Sequence, residues 1–133
     1  MRAPIRIATS TRDFAFSPNG DILAFFNGGS RIRLYFTEDI ERGLRQKKGD
    51  RAVLGLPYAS DIAKIAWHDD NAHLFIFAPS QGNRTTLSFV ETDYRAPVNE
   101  TTLLKDTESV YAGGDARVFF VKSGTLWYLD MTQ

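Results

Sequence analysis

An all-β fold built from three four-stranded antiparallel units is predicted by three observations. Apolar residues come in short runs cut by turn-forming residues, the same strand-turn-strand phrase occurs three times, and each copy is preceded by one more apolar segment. In the first copy, Phe14-Ala15-Phe16, Ile22-Leu23-Ala24-Phe25-Phe26 and Ile32-Arg33-Leu34-Tyr35-Phe36 are separated by Ser17-Pro18-Asn19-Gly20-Asp21 and Asn27-Gly28-Gly29-Ser30. Asn-Gly and Gly-Gly relieve the positive-φ strain of hairpin turns, so the plain reading is a meander. The second copy runs Ile62–Trp67, His73–Phe77 and Thr86–Val90, with His68-Asp69-Asp70-Asn71-Ala72 in the first turn. A third runs Ser109–Tyr111, Arg117–Val121 and Thr125–Leu129, joined by Ala112-Gly113-Gly114-Asp115 and Lys122-Ser123-Gly124. The leading segments are Ile5–Ile7, Val53–Leu56 and Thr101–Leu104.

The aromatic residues closing the first meander strand, Phe16, Trp67 and Tyr111, are spaced 51 and then 44 residues apart. Periods of roughly 40 to 50 with several strands per unit belong to propeller blades. The units span about 4–37, 52–93 and 100–130, with a charged insertion at 37–51, and together form a single domain. The chain opens on an outer strand and closes on a third meander strand. The expectation is therefore that Ile5–Ile7 complete the last blade beside Leu126–Leu129, either within the chain or in a second copy. Phe75-Ile76-Phe77 and Leu126–Leu129 are too continuously apolar for half-solvated strands and predict sheets covered on both faces. Phe16, Phe25, Trp67, Phe75, Phe77, Phe119 and Trp127 are expected to fill the space between blades.

The phrase from Phe14 to Phe25 resembles the hydrophobic, Ser-Pro-Asp-Gly, Leu/Ile-Ala hairpin of WD-repeat and TolB-like β-propellers. The copy from Ile65 to Phe75 keeps the register but puts His-Asp in place of Ser-Pro, the third keeps only Gly113-Gly114-Asp115, and the Trp-Asp blade ending is absent. The resemblance implies a partial propeller. A ring closes with typically four to eight blades, so three blades imply completion by dimerisation or by a longer chain.

Composition narrows the function classes. Sixteen Lys and Arg balance sixteen Asp and Glu, so the global field expected of a dedicated nucleic-acid binder is missing. Cysteine is absent, which removes disulfides and thiolate chemistry but does not fix the compartment. The longest apolar stretch, Leu74–Pro79, is far short of a membrane span of ~20 residues. No apolar core follows the basic start Met1–Arg6, so no secretory signal is expected.

Candidate chemistry is sparse. His68 and His73 are the two imidazoles, and His68 with Asp69 and Asp70 has the donor types for a metal or an acid–base pair. The competing and preferred reading is a turn in which short polar side chains bond the local backbone. No Gly-x-Ser-x-Gly or phosphate loop is present. In the insertion, acidic residues precede basic ones, so Thr37 can cap a short helix, although Gly43 interrupts it and a charged loop fits as well. Arg42, Arg45, Lys47, Lys48 and Arg51 are the candidate patch for an acidic protein partner, with His68, Asp69 and Asp70 as a second candidate contact. No catalytic residue, metal or cofactor is assigned. The expected function is a non-catalytic protein-interaction module; the alternatives are the propeller portion of a larger enzyme, such as a prolyl-oligopeptidase-like peptidase, and a carbohydrate-binding propeller.

Overall fold

A computed structural model describes residues 3–41, 45–56, 61–95, 97–112 and 117–131. Eleven strands form three antiparallel sheets among these residues. The first sheet orders β1 (Asp13–Phe16), β2 (Ile22–Phe26), β3 (Arg31–Phe36) and β4 (Arg51–Gly55); the second orders β5 (Lys64–Trp67), β6 (His73–Ser80), β7 (Arg84–Glu91) and β8 (Glu100–Thr107). The third holds β9 (Ser109–Tyr111), β10 (Arg117–Lys122) and β11 (Thr125–Asp130).

The turns show why the repeated phrase folds as it does. Ser17 N–H donates to the Ile22 carbonyl at 2.8 Å, Ile22 N–H to Ser17 Oγ at 3.1 Å, and Gly20 N–H to the Ser17 carbonyl at 2.8 Å. The second copy reproduces this with other residues. His68 N–H donates to the His73 carbonyl at 3.0 Å, and Asn71 takes the left-handed position of Gly20, with φ 61° against 80°. His68 thus replaces Ser17, and Asn is among the few side chains that enter this region at small cost. The β10–β11 hairpin turns on Ser123 and Gly124, both at positive φ, as a two-residue turn of the favoured twist requires. The corresponding first turn of the third copy, Gly113-Gly114-Asp115, lies outside the described residues.

The phase of the sheets differs from the phase of the repeat. The segments read as leaders pair backwards: Val53 and Leu54 sit in β4 beside β3, and Thr101–Leu104 sit in β8 beside β7. The antiparallel return after β3 keeps β4 on its own sheet, and the chain then crosses to the second. From β8 to β9 a single residue, Glu108, makes the next crossing. The third sheet consequently has three strands rather than the expected four. Ile5–Ile7 form no strand; Ile5 is 85% exposed, and the Ile7 carbonyl accepts a 2.6 Å bond from Arg51 Nη1 on the first sheet. Completion of the third sheet by this segment within the chain is therefore overturned: its backbone is held beside the opposite end of the stack.

Two apolar layers hold the sheets together, and β6 supplies both. Successive strand residues point to opposite faces. Leu74 and Ile76 join Ile65, Trp67 and Val90 against Ala24, Phe26, Ile32, Leu34 and Leu54 of the first sheet. Phe75 and Phe77 join Leu87 against Ala112 and Val118 at the third. The expectation for Phe75-Ile76-Phe77 matches this arrangement: all three residues are buried. For β11 it fails, since Leu126, Trp127 and Tyr128 are 69, 55 and 64% exposed. Phe16 is also exposed, and Phe119 is only half-buried. Phe16, Leu126 and Tyr128 are on the sheet faces turned away from the second sheet, whereas Trp127 shares the inward face with Leu129 and is exposed on the edge strand β11. Trp67, Phe75 and Phe77 lie between sheets as expected; Phe25 is buried too, but on the opposite face of β2 from Ala24 and Phe26. The two steps of the stack are not equivalent. β1 lies against β5, whereas the third sheet meets the second through β9 against β7 and β10 against β8, and no ring is closed.

Candidate functional site

The turn-end of the first two sheets is where most of the predicted site residues lie. Asp70 Oδ1 accepts the Ala72 and His73 amides at 2.9 and 3.1 Å, and its Oδ2 lies 2.6 Å from His73 Nδ1. His68 Nδ1 lies 3.1 Å from the Asp70 amide and 3.0 Å from Asp69 Oδ1. His73 stacks on Phe89 with centroids 4.5 Å apart, and His68 meets Phe75 and Phe89. The local backbone and aromatic packing thus engage both imidazoles and Asp70. Among the described residues no group of three or more His, Cys, Asp or Glu side chains is placed to hold a metal ion.

Partial burial disfavours a charge on Asp70, but the Ala72 amide, the His73 hydrogen bond and the nearby His73 and His68 rings outweigh it and hold the carboxyl below its ordinary value. A carboxyl depressed in the folded state adds stability that is present above its unfolded pKa of about 3.9 and lost as pH falls through the lower folded value. Asp70→Asn keeps an oxygen for the amides but loses the charge facing His73. It is expected to cost below about 1 kcal/mol at pH 6, given the partial exposure of the carboxylate. The deficit relative to wild type should shrink as pH falls below about 4. Urea titrations at pH 6 and pH 3 check this; an equal deficit at both would reject the charged role of Asp70.

The insertion is not a helix over its described residues. Ile40 and Gln46 form an antiparallel bridge with bonds of 2.8 and 3.0 Å, and Gln46 Nε2 donates to Tyr94 Oη at 2.6 Å. Thr37 does not cap a helix; its amide donates to the Asp21 carbonyl at 2.9 Å, tying the insertion to the first hairpin turn. Gly49 N–H and the Asp50 carbonyl bond back to Phe36, so β3 is carried past its sheet and the loop returns alongside it.

The described members of the predicted basic patch are divided between the returning arm and the start of β4. Arg42 lies outside the described residues. Arg45, Lys47 and Lys48 are exposed on the returning arm, where the Lys47 amide donates to Asp50 Oδ2 at 2.9 Å and the Lys48 amide to Asp39 Oδ1 at 2.8 Å. Arg51 belongs to β4 and shares a sheet face with Tyr35, its cross-strand partner, over which its guanidinium lies 5.2 Å from the ring centroid.

The acidic arm of the insertion is what meets the 69–71 turn. A cleft of about 570 Å³ is lined by Asn19, Asp21, Asp39, Glu41, Asp70 and Asn71. It shares Ile22, Ile40 and Asn71 with one of about 420 Å³ that extends to Phe36, Ala72 and Thr92. Asn71 also accepts the Asn19 amide at 2.8 Å, joining equivalent turns of the first two sheets. Sequence reasoning missed this pairing, since only the stacking of sheets brings together residues 52 positions apart. It also missed Arg33, although the Arg31-Ile32-Arg33-Leu34-Tyr35 alternation sets it on one strand face with Arg31 and Tyr35.

No protein-family model, curated protein or solved structure matches the chain. Among the described residues no helix is long and apolar enough to cross a membrane.

Proposed function

We propose that this chain is a non-catalytic protein-interaction module built on propeller-type sheets, with another polypeptide covering its outer sheet faces. One observation carries this reading: both ends of the stack present exposed aromatic and aliphatic side chains in rows. On the first sheet these are Phe14 and Phe16, 60 and 52% exposed; on the third they are Tyr111, Leu126 and Tyr128. Contiguous exposed apolar surface marks interaction sites on soluble proteins. Among the described residues β11 is the edge strand of its sheet, a template for strand addition. The sequence resemblance to propeller blades supports the same reading, since a blade is a sheet that packs on a neighbour at each face.

A second copy is the covering partner to test first. Sedimentation equilibrium is expected to show a species of about 30 kDa, twice the 15.0 kDa chain. Leu126→Asp with Tyr128→Asp should return it to the monomer, because a charge placed in a desolvated interface stays unpaired. A stable monomer at all concentrations would reject self-association. The carbohydrate alternative rests on exposed Trp127 beside Tyr128, and glycan binding abolished by Trp127→Ala would favour it instead.

A further inference from the structure

We infer that the outer face of the first sheet carries a binding cleft for a small organic anion, with the anionic group held between Arg33 and Arg51. The register places Arg33 opposite Val53 and Arg51 opposite Tyr35, so the two arginines are diagonal neighbours on one sheet face. Diagonal pairs lie ~7–8 Å apart, a span that one carboxylate or phosphate group can bridge with charge-assisted hydrogen bonds. Both guanidinium groups are permanently charged. No carboxylate lines the cleft, and no ion pair involves either arginine among the described residues.

Arg51 is already oriented. Nη1 donates to the Ile7 carbonyl at 2.6 Å while the guanidinium lies over Tyr35, which leaves further N–H groups for a ligand. Ile7, Ala8, Thr9 and Thr11 line a cavity of about 260 Å³ with the two arginines, where Thr9, Thr11 and Asn27 add neutral polar groups. An adjoining space of about 120 Å³, also lined by Arg33 and Arg51, continues over Phe25 and Val53. Two cationic groups beside the apolar surface of Phe25 and Val53 suit a ligand with an anionic head and a small apolar body. The cavity lies just below the ~300–1,000 Å³ of ordinary drug-sized sites, which limits that body to about one ring. This inference depends on the charge and shape of one face and not on the interaction reading, so either can fail alone.

The test is a titration of the whole chain at constant ionic strength, following the arginine Nε–H resonances by NMR, with sodium benzoate and sodium phosphate as separate probes and chloride as the balancing ion. Saturating shifts of Arg33 and Arg51 are expected with benzoate. Arg33→Gln should weaken binding about tenfold and Arg33→Lys less, since lysine keeps the charge but not the planar fork. Arg31→Gln, on the same face but outside the cleft lining, should leave affinity within about twofold, because long-range attraction is screened. Saturation by phosphate in place of benzoate supports the oxyanion site and assigns its ligand to the phosphorylated class. Shifts that stay linear for both probes, or saturation unaltered by Arg33→Gln, would overturn the proposal. Circular dichroism of each variant confirms folding, and Arg33→Lys retains the test if the glutamine variant does not fold.

Discussion

Replacing Phe75 with alanine is expected to destabilise the fold by about 3–5 kcal/mol, the cost of truncating a fully buried ring in a packed core. Phe75 has no solvent exposure, shares the layer facing the third sheet with Phe77 and Leu87, and touches His68 and Phe89. Phe16→Ala, in contrast, is expected to cost less than about 1 kcal/mol in a monomer, since that ring is half in water already. Urea denaturation at low protein concentration compares the two. Equal losses would refute the assignment of Phe75 to an inner layer and Phe16 to an outer one. If the Phe16→Ala deficit grows with protein concentration, a second chain is covering the ring, as mass action requires.

The second large effect is expected at Trp67, which fastens the first two sheets by a hydrogen bond as well as by packing. Its Nε1–H donates to the Ala15 carbonyl of β1 at 2.8 Å, and its ring is buried among the residues of both sheets. Trp67→Phe retains an aromatic ring but no donor, leaving an acceptor without its partner in a partly buried position. The expected cost is about 1–3 kcal/mol. It should appear in hydrogen exchange as faster opening of β1 and β2 than of β6 and β7, because only the contact between the first sheet and the second is weakened. Uniform acceleration across all three sheets would show that Trp67 acts on the whole core rather than on this joint.

Strand periodicity and turn chemistry are local properties, and both could be read directly. Gly20, Gly124 and the 69–71 turn follow from residue types that tolerate or stabilise particular backbone angles, so the hairpins were visible without coordinates. The two-sided burial of Phe75-Ile76-Phe77 was visible too, because polar residues are missing from both of its faces. Leu126–Leu129 carries the same signal and is largely exposed. Composition reports that a strand can be covered on two sides, but whether a neighbour is there is a property of the assembly. The basic patch is a related case. Arg45, Lys47 and Lys48 stay on the returning arm, whereas the chain enters β4 at Arg51, where alternation turns that side chain onto the face that carries Arg33.

The amino-acid sequence alone determined that the chain is all-β, where most of its hairpin turns fall, and which central strand is apolar on both sides. These depend on interactions over a few residues, which the order of side chains encodes directly. Tertiary structure alone decided which strand joins which sheet, that the N-terminal segment lies by Arg51 rather than beside β11, and that the acidic arm of the insertion meets the 69–71 turn. Each of those outcomes is a choice among distant partners of similar local character, settled by which layers bury the most apolar surface together, a quantity that no short stretch of chain contains.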